Sequence, residues 1–257
     1  MRLALEVWGH DYGRLVETAR AAEDLGFAAL YYGESPQALN LETGTVLAGL
    51  AARTTTLRIG PVIANLLPGY RSFPLWAKQI HSLAVVSDGR LEVRTGTGAA
   101  ARWARPWWEP AGVPYPDRPT RRRILEDWLL ALHHLWERPG EPFRRPHVAF
   151  DALALEPPVE RPPVTVAATG PQSMAVAAHC ADGWEASYLT AGEWVALRAR
   201  FDSLTAALHK ALTGPPGRLA GQLAAYRAAG VDQLVIAAVD PHDRSTLETL
   251  AAAAARL

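Results

Sequence analysis

Strand-like and helix-like segments alternate regularly along the first half of the chain. A short β-type run at 3–7 precedes apolar residues at helical spacing over 12–25, and Gly26 ends that helix. The same order returns three times, with strands predicted at 28–32, 57–63 and 91–95 and helices at 43–53, 73–86 and 121–136. Consecutive strand–helix units of this kind favour a parallel sheet covered by helices.

The second half continues the alternation less regularly. Strands are predicted at 164–168, 183–187 and 233–239, and helices at 172–180, 193–212, 218–229 and then to Leu257. No strand is predicted between 188 and 231, so either one strand of a (β/α)8 barrel is short and hidden, or the barrel is incomplete where strand seven should be. We therefore predict an α/β fold, a TIM-type (β/α)8 barrel that is shortened or incomplete around strand seven. No shift of composition marks a boundary, so residues 1–257 are predicted to form a single domain.

Composition argues against several classes of protein. The 26 basic and 26 acidic side chains balance, so no attraction to nucleic acid or an anionic membrane is expected. Charges or prolines interrupt each apolar run before the roughly 20 residues that span a bilayer. The first residues are not expected to form a signal peptide, because their apolar run is short and polar residues follow soon after it. Cys180 is the only cysteine and no histidines have ligand spacing, so no metal site is expected. These features predict a cytoplasmic protein.

Two carboxylates follow the first two strands of the predicted barrel. In such a barrel the active site forms at the carboxyl ends of the strands. Glu6 ends strand one and Glu34 follows strand two. Each is a candidate catalytic proton donor or acceptor, and each could instead be a hydrogen-bonded structural carboxylate.

Glycine-marked turns follow two other strands and can present backbone N–H groups to a phosphate. They are Gly96-Thr97-Gly98 and Ala168-Thr169-Gly170. Ala101 stands where a dinucleotide fingerprint needs its third glycine, which argues against a nicotinamide site.

Two groups of side chains near strand four are open to more than one interpretation. Glu92 and Arg94 lie two positions apart and so share one strand face. They predict either a satisfied polar layer inside the barrel or a subunit contact. Trp103, Trp107 and Trp108 follow in a long loop, which could cover a flat aromatic ligand or form an apolar patch buried by another subunit.

Six segments carry a resemblance to a known superfamily. They are AEDLGFAALYYGES (22–35), LAARTTTLRIGPVIAN (50–65), FPLWAKQIHSLAVVSDGRLEVRTGTG (73–98), PPVTVAATGP (162–171), AAHCADGW (177–184) and YRAAGVDQLVI (226–236). Together they resemble the bacterial-luciferase-like superfamily of flavin- and deazaflavin (coenzyme F420)-dependent oxidoreductases. They are most similar to the F420-dependent branch that includes methylenetetrahydromethanopterin reductase.

The resemblance implies a homodimeric barrel with the cofactor ring across the strand ends. It implies a non-proline cis peptide at Val62–Ile63, which would press backbone against one face of the ring. The cofactor would be bound by Val62, Ile63 and Asn65, by the rim Gly96, Thr97 and Gly98, and by the phosphate turn Ala168, Thr169 and Gly170. Glu6 stands where the methylene reductases carry a carboxylate.

Three functional hypotheses follow. Many relatives carry a histidine directly after strand two, whereas this chain has Glu34-Ser35. That difference favours the first hypothesis, an F420-dependent oxidoreductase that transfers a hydride to or from a small organic substrate. The second is an FMN-dependent luciferase-like monooxygenase. The third is a degenerate, non-catalytic barrel homodimer, favoured by the missing strand, the absent histidine and the charged fourth strand. A filled barrel mouth would support it.

Overall fold

The computed structural model describes residues 1–36, 39–199, 205–212, 216–238 and 240–256. In chain order the strands are β1 (Arg2–Val7), β2 (Ala29–Gly33), β3 (Arg58–Val62), β4 (Ala64–Asn65), β5 (Val93–Gly96), β6 (Phe143–Arg145), β7 (Val148–Phe150), β8 (Val164–Ala167), β9 (Gly183–Ser187), β10 (Thr205–Ala211) and β11 (Gln233–Ala237). The helices are α1 (Tyr12–Asp24), α2 (Thr43–Ala51), α3 (Phe73–Val86), α4 (Ala101–Trp108), α5 (Arg118–Glu137), α6 (Pro171–Cys180), α7 (Ala191–Arg198), α8 (Pro216–Ala228) and α9 (Arg244–Ala255).

The parallel strands form a barrel. Its sheet order is β3, β2, β1, β11, β10, β9, β8, β5 and β4. The amide of Glu92 donates to the Ile59 carbonyl (2.8 Å) and brings the segment before β5 beside β3. β4 continues β3 beyond the Val62–Ile63 peptide, which is cis. Over the described residues this is a nearly closed (β/α)8 barrel in which β3 and β4 act as one strand, so the predicted fold class is confirmed.

Strand seven, predicted to be missing, is present as β10. The predicted helix over 193–212 is wrong in its second half, because α7 ends at Arg198 and β10 pairs with β9 on one side and β11 on the other. The sequence TAALHKA consists largely of good helix formers. Burial between two neighbouring strands overrides that preference, since Leu208 is fully buried in the core behind the sheet. Residues 200–204 lie outside the described ones.

The strands bury their two faces in different surroundings. Outward residues such as Leu3, Leu5 and Leu208 join the core between the sheet and the helices. A small apolar cluster fills part of the barrel interior: Ala4, Ala29, Tyr31, Val62 and Val235. The rest of the interior is polar, and its charged side chains reach the end where the strands terminate.

The interior holds the polar layer that the sequence predicted at Glu92 and Arg94. Arg94, which is 1% exposed, contacts Glu185, and its Nη1 lies 3.9 Å from Glu92. The Tyr31 hydroxyl donates to Glu92, and Arg58 Nε donates to the same carboxylate (2.8 Å). The charges of Glu92 and Arg94 are therefore neutralised within the barrel.

Candidate active site

The carboxyl ends of the strands open into a cleft of about 650 Å³. Of the site residues predicted from the sequence, those that line it are Glu6, Glu34, Val62, Ile63, Asn65, Gly98, Ala168 and Thr169. Gly96, Thr97 and Gly170 are not among its lining residues. The mouth of the barrel is thus open, whereas a filled mouth would have supported the degenerate, non-catalytic hypothesis.

The cis peptide Val62–Ile63 lies in the wall of this cleft, as the resemblance implied. Gly96 makes room for it from β5. A Cβ on Gly96 would lie 2.9 Å from Ile63 Cδ1 and 2.8 Å from the Ala167 carbonyl oxygen. Because Gly96 has no side chain, Ile63 and the Ala167 backbone can lie close to β5 behind the cleft wall.

The turn after β5 is held by Tyr115 and Arg121. Gly98 has a φ of +71°, and a Cβ there would collide with the Tyr115 hydroxyl, which donates to the Ala99 carbonyl (2.8 Å). Arg121 is buried and donates from Nε to the Thr97 carbonyl (2.6 Å). Thr97 thus contributes its backbone to the position of the turn.

Glu6 and His209 form a buried pair in the cleft. The Glu6 carboxylate contacts His209 Nε2 through Oε2 and accepts the indole N–H of Trp8 through Oε1. Both partners are at most 8% exposed. His209 belongs to β10, so the strand missed in the sequence supplies an imidazole to the site.

Glu34 is held by Arg71 and Asn65. Arg71 contacts Oε1 of the carboxylate, and the backbone N–H of Asn65 donates to Oε2 (2.5 Å). Burial raises the pKa of Glu34, and the Arg71 guanidinium and the Asn65 N–H act against that rise. Through these contacts Glu34 connects the end of β2 to Asn65 of β4 and to Arg71. This arrangement indicates a structural role for Glu34.

Sequence reasoning missed His209, Glu185 and Arg71. His209 was hidden by the helical interpretation of β10. Glu185 lines the cleft from β9 while contacting Arg94 below it. Its signal was a charge inside an otherwise apolar strand, as for Glu92 and Arg94. Arg71 lies between β4 and α3, where no pattern marks it.

Aromatic side chains form much of the remaining wall: Trp8, Trp103, Trp107, Trp108, Tyr115 and Tyr188. The three tryptophans that follow β5 lie on α4, a helix not predicted from the sequence. Trp108 is buried edge-on against Tyr70 (4.9 Å between ring centroids), whereas Trp103 is 65% exposed. Their position in the cleft suits a cover for a flat ligand.

An arginine lies over the turn at the start of α6. Gly170 is the N-cap of α6 and no side chain caps that helix. A Cβ at Gly170 would lie 2.8 Å from Arg118 Nη2, so the glycine admits the guanidinium. Helix N–H groups and an arginine together can bind a phosphate.

The fold and the site define a (β/α)8-barrel protein with an open cleft, a buried carboxylate–imidazole pair and a glycine turn beside an arginine at one rim. The chain belongs to the luciferase-like monooxygenase family, whose sequence profile matches residues 3–210. None of the helices in the described ranges is both long and apolar enough to cross a membrane.

Named relatives of the chain are oxidoreductases that use different cofactors. It is 29% identical over 208 residues to an FMNH2-dependent dimethylsulfone monooxygenase of Pseudomonas fluorescens (strain Pf0-1), covering 77% of this chain and 53% of that protein. It is 25% identical over 178 residues to an F420-dependent glucose-6-phosphate dehydrogenase of Microbacterium testaceum (strain StLB037), covering 66% and 51%. The chain thus spans about half the length of these curated relatives.

The fold also matches a solved structure along nearly its whole length. This is the coenzyme F420-dependent tetrahydromethanopterin reductase of Methanopyrus kandleri, with a TM-score of 0.79, 14% identity and 97% of each chain covered. At that identity the match describes the fold. The family is therefore one of F420- or FMN-dependent oxidoreductases.

Proposed function

We propose that this chain is an F420-dependent oxidoreductase that transfers a hydride to or from a small organic substrate. The cleft falls within the 300–1,000 Å³ range typical of ligand pockets. When bound, reduced F420 supplies the hydride. The chain supplies the wall at Val62 and Ile63, the aromatic cover from α4 and the buried acid–base groups.

The observation that carries the proposal is a group of arginines beside the Gly170 turn. Arg118 and Arg122 lie one turn apart at the start of α5. Arg118 lies over Gly170, and Arg122 donates to Gln172 on α6. Among the described residues neither arginine forms an ion pair with a carboxylate. These arginines suit a cofactor such as F420, whose phosphodiester tail carries further carboxylates. A single phosphate group would need fewer positive charges.

The two candidate carboxylates receive different roles in this proposal. Arg71 and Asn65 engage the Glu34 carboxylate, so Glu34 orders the cleft wall. Glu6 has no arginine partner among the described residues and contacts His209 and Trp8. Glu6 is therefore the candidate proton donor, or the group that orients one.

Fluorescence titration of the purified, cofactor-free protein with F420 and separately with FMN tests the proposal. We expect F420 to bind with micromolar affinity and FMN much more weakly. R118A removes a charge-assisted contact worth about 1.5–3 kcal/mol, so the F420 Kd rises about tenfold or more. R244A, at an exposed arginine on α9, is the control. Tighter FMN binding would support the monooxygenase alternative, and binding of neither would support the non-catalytic one.

We also propose that the chain forms a homodimer through a groove between α2 and α3. The groove has a volume of about 370 Å³ and is lined by Leu75, Leu83 and Val86 together with Glu42 and Lys78. A two-fold contact would bring Glu42 of one copy to Lys78 of the other, because the same patch faces itself. Exposed Leu75 would be buried there.

Sedimentation equilibrium tests the dimer. L75E places a charge in the groove and is expected to give a monomer. V195E places the same charge at an equally exposed valine on α7 and should leave the dimer intact. A monomeric wild type, or a dimer unaffected by L75E, would contradict the proposed interface.

A further inference from the structure

A buried imidazole–carboxylate pair joins two non-adjacent strands in the cleft. Glu6 lies on β1 and His209 on β10, with β11 between them. The strand position opposite Glu6 on β11 is Ala237, a small residue over which the side chains can meet. Trp8 donates to the other oxygen of Glu6, so both carboxylate oxygens are engaged and the carboxylate is fixed.

We propose that His209 is the proton-carrying residue of this cleft and that Glu6 positions it. This inference rests on the proposed function. Nε2 of His209 faces Glu6, so the nitrogen left to exchange a proton with a bound molecule is Nδ1. Within the described part of the chain Nδ1 has no hydrogen-bond partner, and His209 lines the cleft. His209 thus brings from strand seven the imidazole that the sequence lacks after strand two.

The other ionisable groups around His209 make contacts of their own. Glu185 lines the same cleft from β9 and is neutralised by Arg94. The Tyr188 ring lies 5.3 Å from the imidazole between centroids, and burial together with the charge of Glu6 raises the pKa of its hydroxyl. Lys210 directs its Nζ to the Tyr188 carbonyl (3.3 Å). Among these groups, His209 is therefore the one that lines the cleft with a ring nitrogen left without a hydrogen-bond partner in the described part of the chain.

His209 would supply the proton that completes reduction of a C=N bond. The reduced deazaflavin, when bound, would supply a hydride with its electron pair to the carbon, and the C=N π electrons would move to nitrogen. The imidazolium of His209 releases its Nδ1 proton to that nitrogen, the Nδ1–H bond breaks and a new N–H bond forms. His209 becomes neutral and regains a proton from water, while Glu6 keeps its hydrogen bond to Nε2 throughout.

Ring-nitrogen NMR on ¹⁵N-histidine-labelled, cofactor-free protein tests the assignment. H209Q identifies the His209 signals by their loss, and H179Q, at an exposed histidine of α6, is the matched control. Between about pH 5 and 9, a window that brackets ordinary histidine titration, we expect Nδ1 to lose its proton while Nε2 keeps it. A ring that loses the Nε2 proton, or that does not titrate in this range, overturns the proposal.

Two further measurements separate proton transfer from a structural role. E6Q keeps the shape of the side chain but removes its charge, so the imidazolium fraction of His209 should fall at each pH measured. Unchanged protonation in E6Q overturns the positioning role of Glu6. Added F420 or FMN should shift the Nδ1 signal more than the Nε2 signal, and the reverse order overturns the role of Nδ1. If neither cofactor binds, the proposed function fails, while the cofactor-free titration still decides which nitrogen exchanges its proton.

Discussion

The guanidinium of Arg94 lies 3.8 Å above the centre of the Tyr31 ring, inside the barrel and beneath the cleft. It contacts Glu185, which lines the cleft, and lies near Glu92, which faces the opposite end. One buried cation thus connects the cleft floor to the polar end of the barrel. The Tyr31 face adds a cation–π contact to the two carboxylates.

Replacing Arg94 by methionine should destabilise the protein strongly. R94M leaves the buried Glu185 carboxylate without its cation, whereas Glu92 keeps its contact with Arg58. Breaking a buried pair in this way costs about 3–5 kcal/mol. Urea unfolding at neutral pH measures the loss. R14M breaks an exposed pair with Asp240 and should cost less than about 1 kcal/mol. Equal effects of the two variants would mean that the interior network contributes no more than a surface pair.

Replacing Gly98 by alanine should lower stability and disturb the cleft rim. The positive φ disfavours any side chain there, and the new Cβ would meet the Tyr115 hydroxyl. We expect a loss of at least about 1 kcal/mol in the free energy of unfolding. G221A is the matched control, because Gly221 lies in α8 with open space around its Cβ position. That variant should be stabilised by up to about 1 kcal/mol, and a loss in both would argue against the turn geometry.

Glu23 should make stability depend on acid pH. Burial acts to raise its pKa, but the backbone N–H groups of Thr56, Leu57 and Thr55 outweigh burial and lower it to about 2. A lowered pKa stabilises the folded state above the unfolded value near 4.5 and the contribution is lost as pH falls towards 2. E23Q should therefore lose about 1 kcal/mol at pH 7 and match the wild type near pH 2.

Urea unfolding at several pH values tests this dependence. E17Q changes an exposed glutamate on the same helix and should follow the wild type at each pH. A constant difference between E23Q and the wild type over the whole range would contradict the ionisation argument.

The sequence predicts this fold well wherever local pattern and tertiary environment agree. The first strands and helices have clear alternation and helix ends, such as Gly26 after α1. The sequence does not predict β10, because its alanine, leucine and lysine residues favour a helix and only pairing with the neighbouring strands makes this segment a strand. Because His209 lies on β10, the wrong helix prediction also concealed this residue as a member of the Glu6–His209 pair.

The candidate site follows from the sequence only where it depends on backbone near a motif. The Val62–Ile63 turn and Gly98 could be located by their place after predicted strands. Glu34 could be located too, but its bond to Arg71 could not, because that contact joins distant loops with no shared period. The contact between Arg94 and Glu185 spans the barrel, and only closure of the sheet brings the two strands together.

Arg71 should control how Glu34 responds to pH. Burial already raises the pKa of Glu34 above its usual 4.5, and R71M removes the charge that opposes this rise. A carboxyl whose folded pKa lies above its unfolded pKa loses stability as pH rises through that interval. R71M should therefore fall further below the wild type as pH rises above 4.5 in urea unfolding. The double variant E34Q/R71M has no buried carboxyl to ionise, so its stability should be higher than that of R71M at pH 8 and flat across the range. A pH-independent loss in R71M would show that Arg71 acts by packing alone.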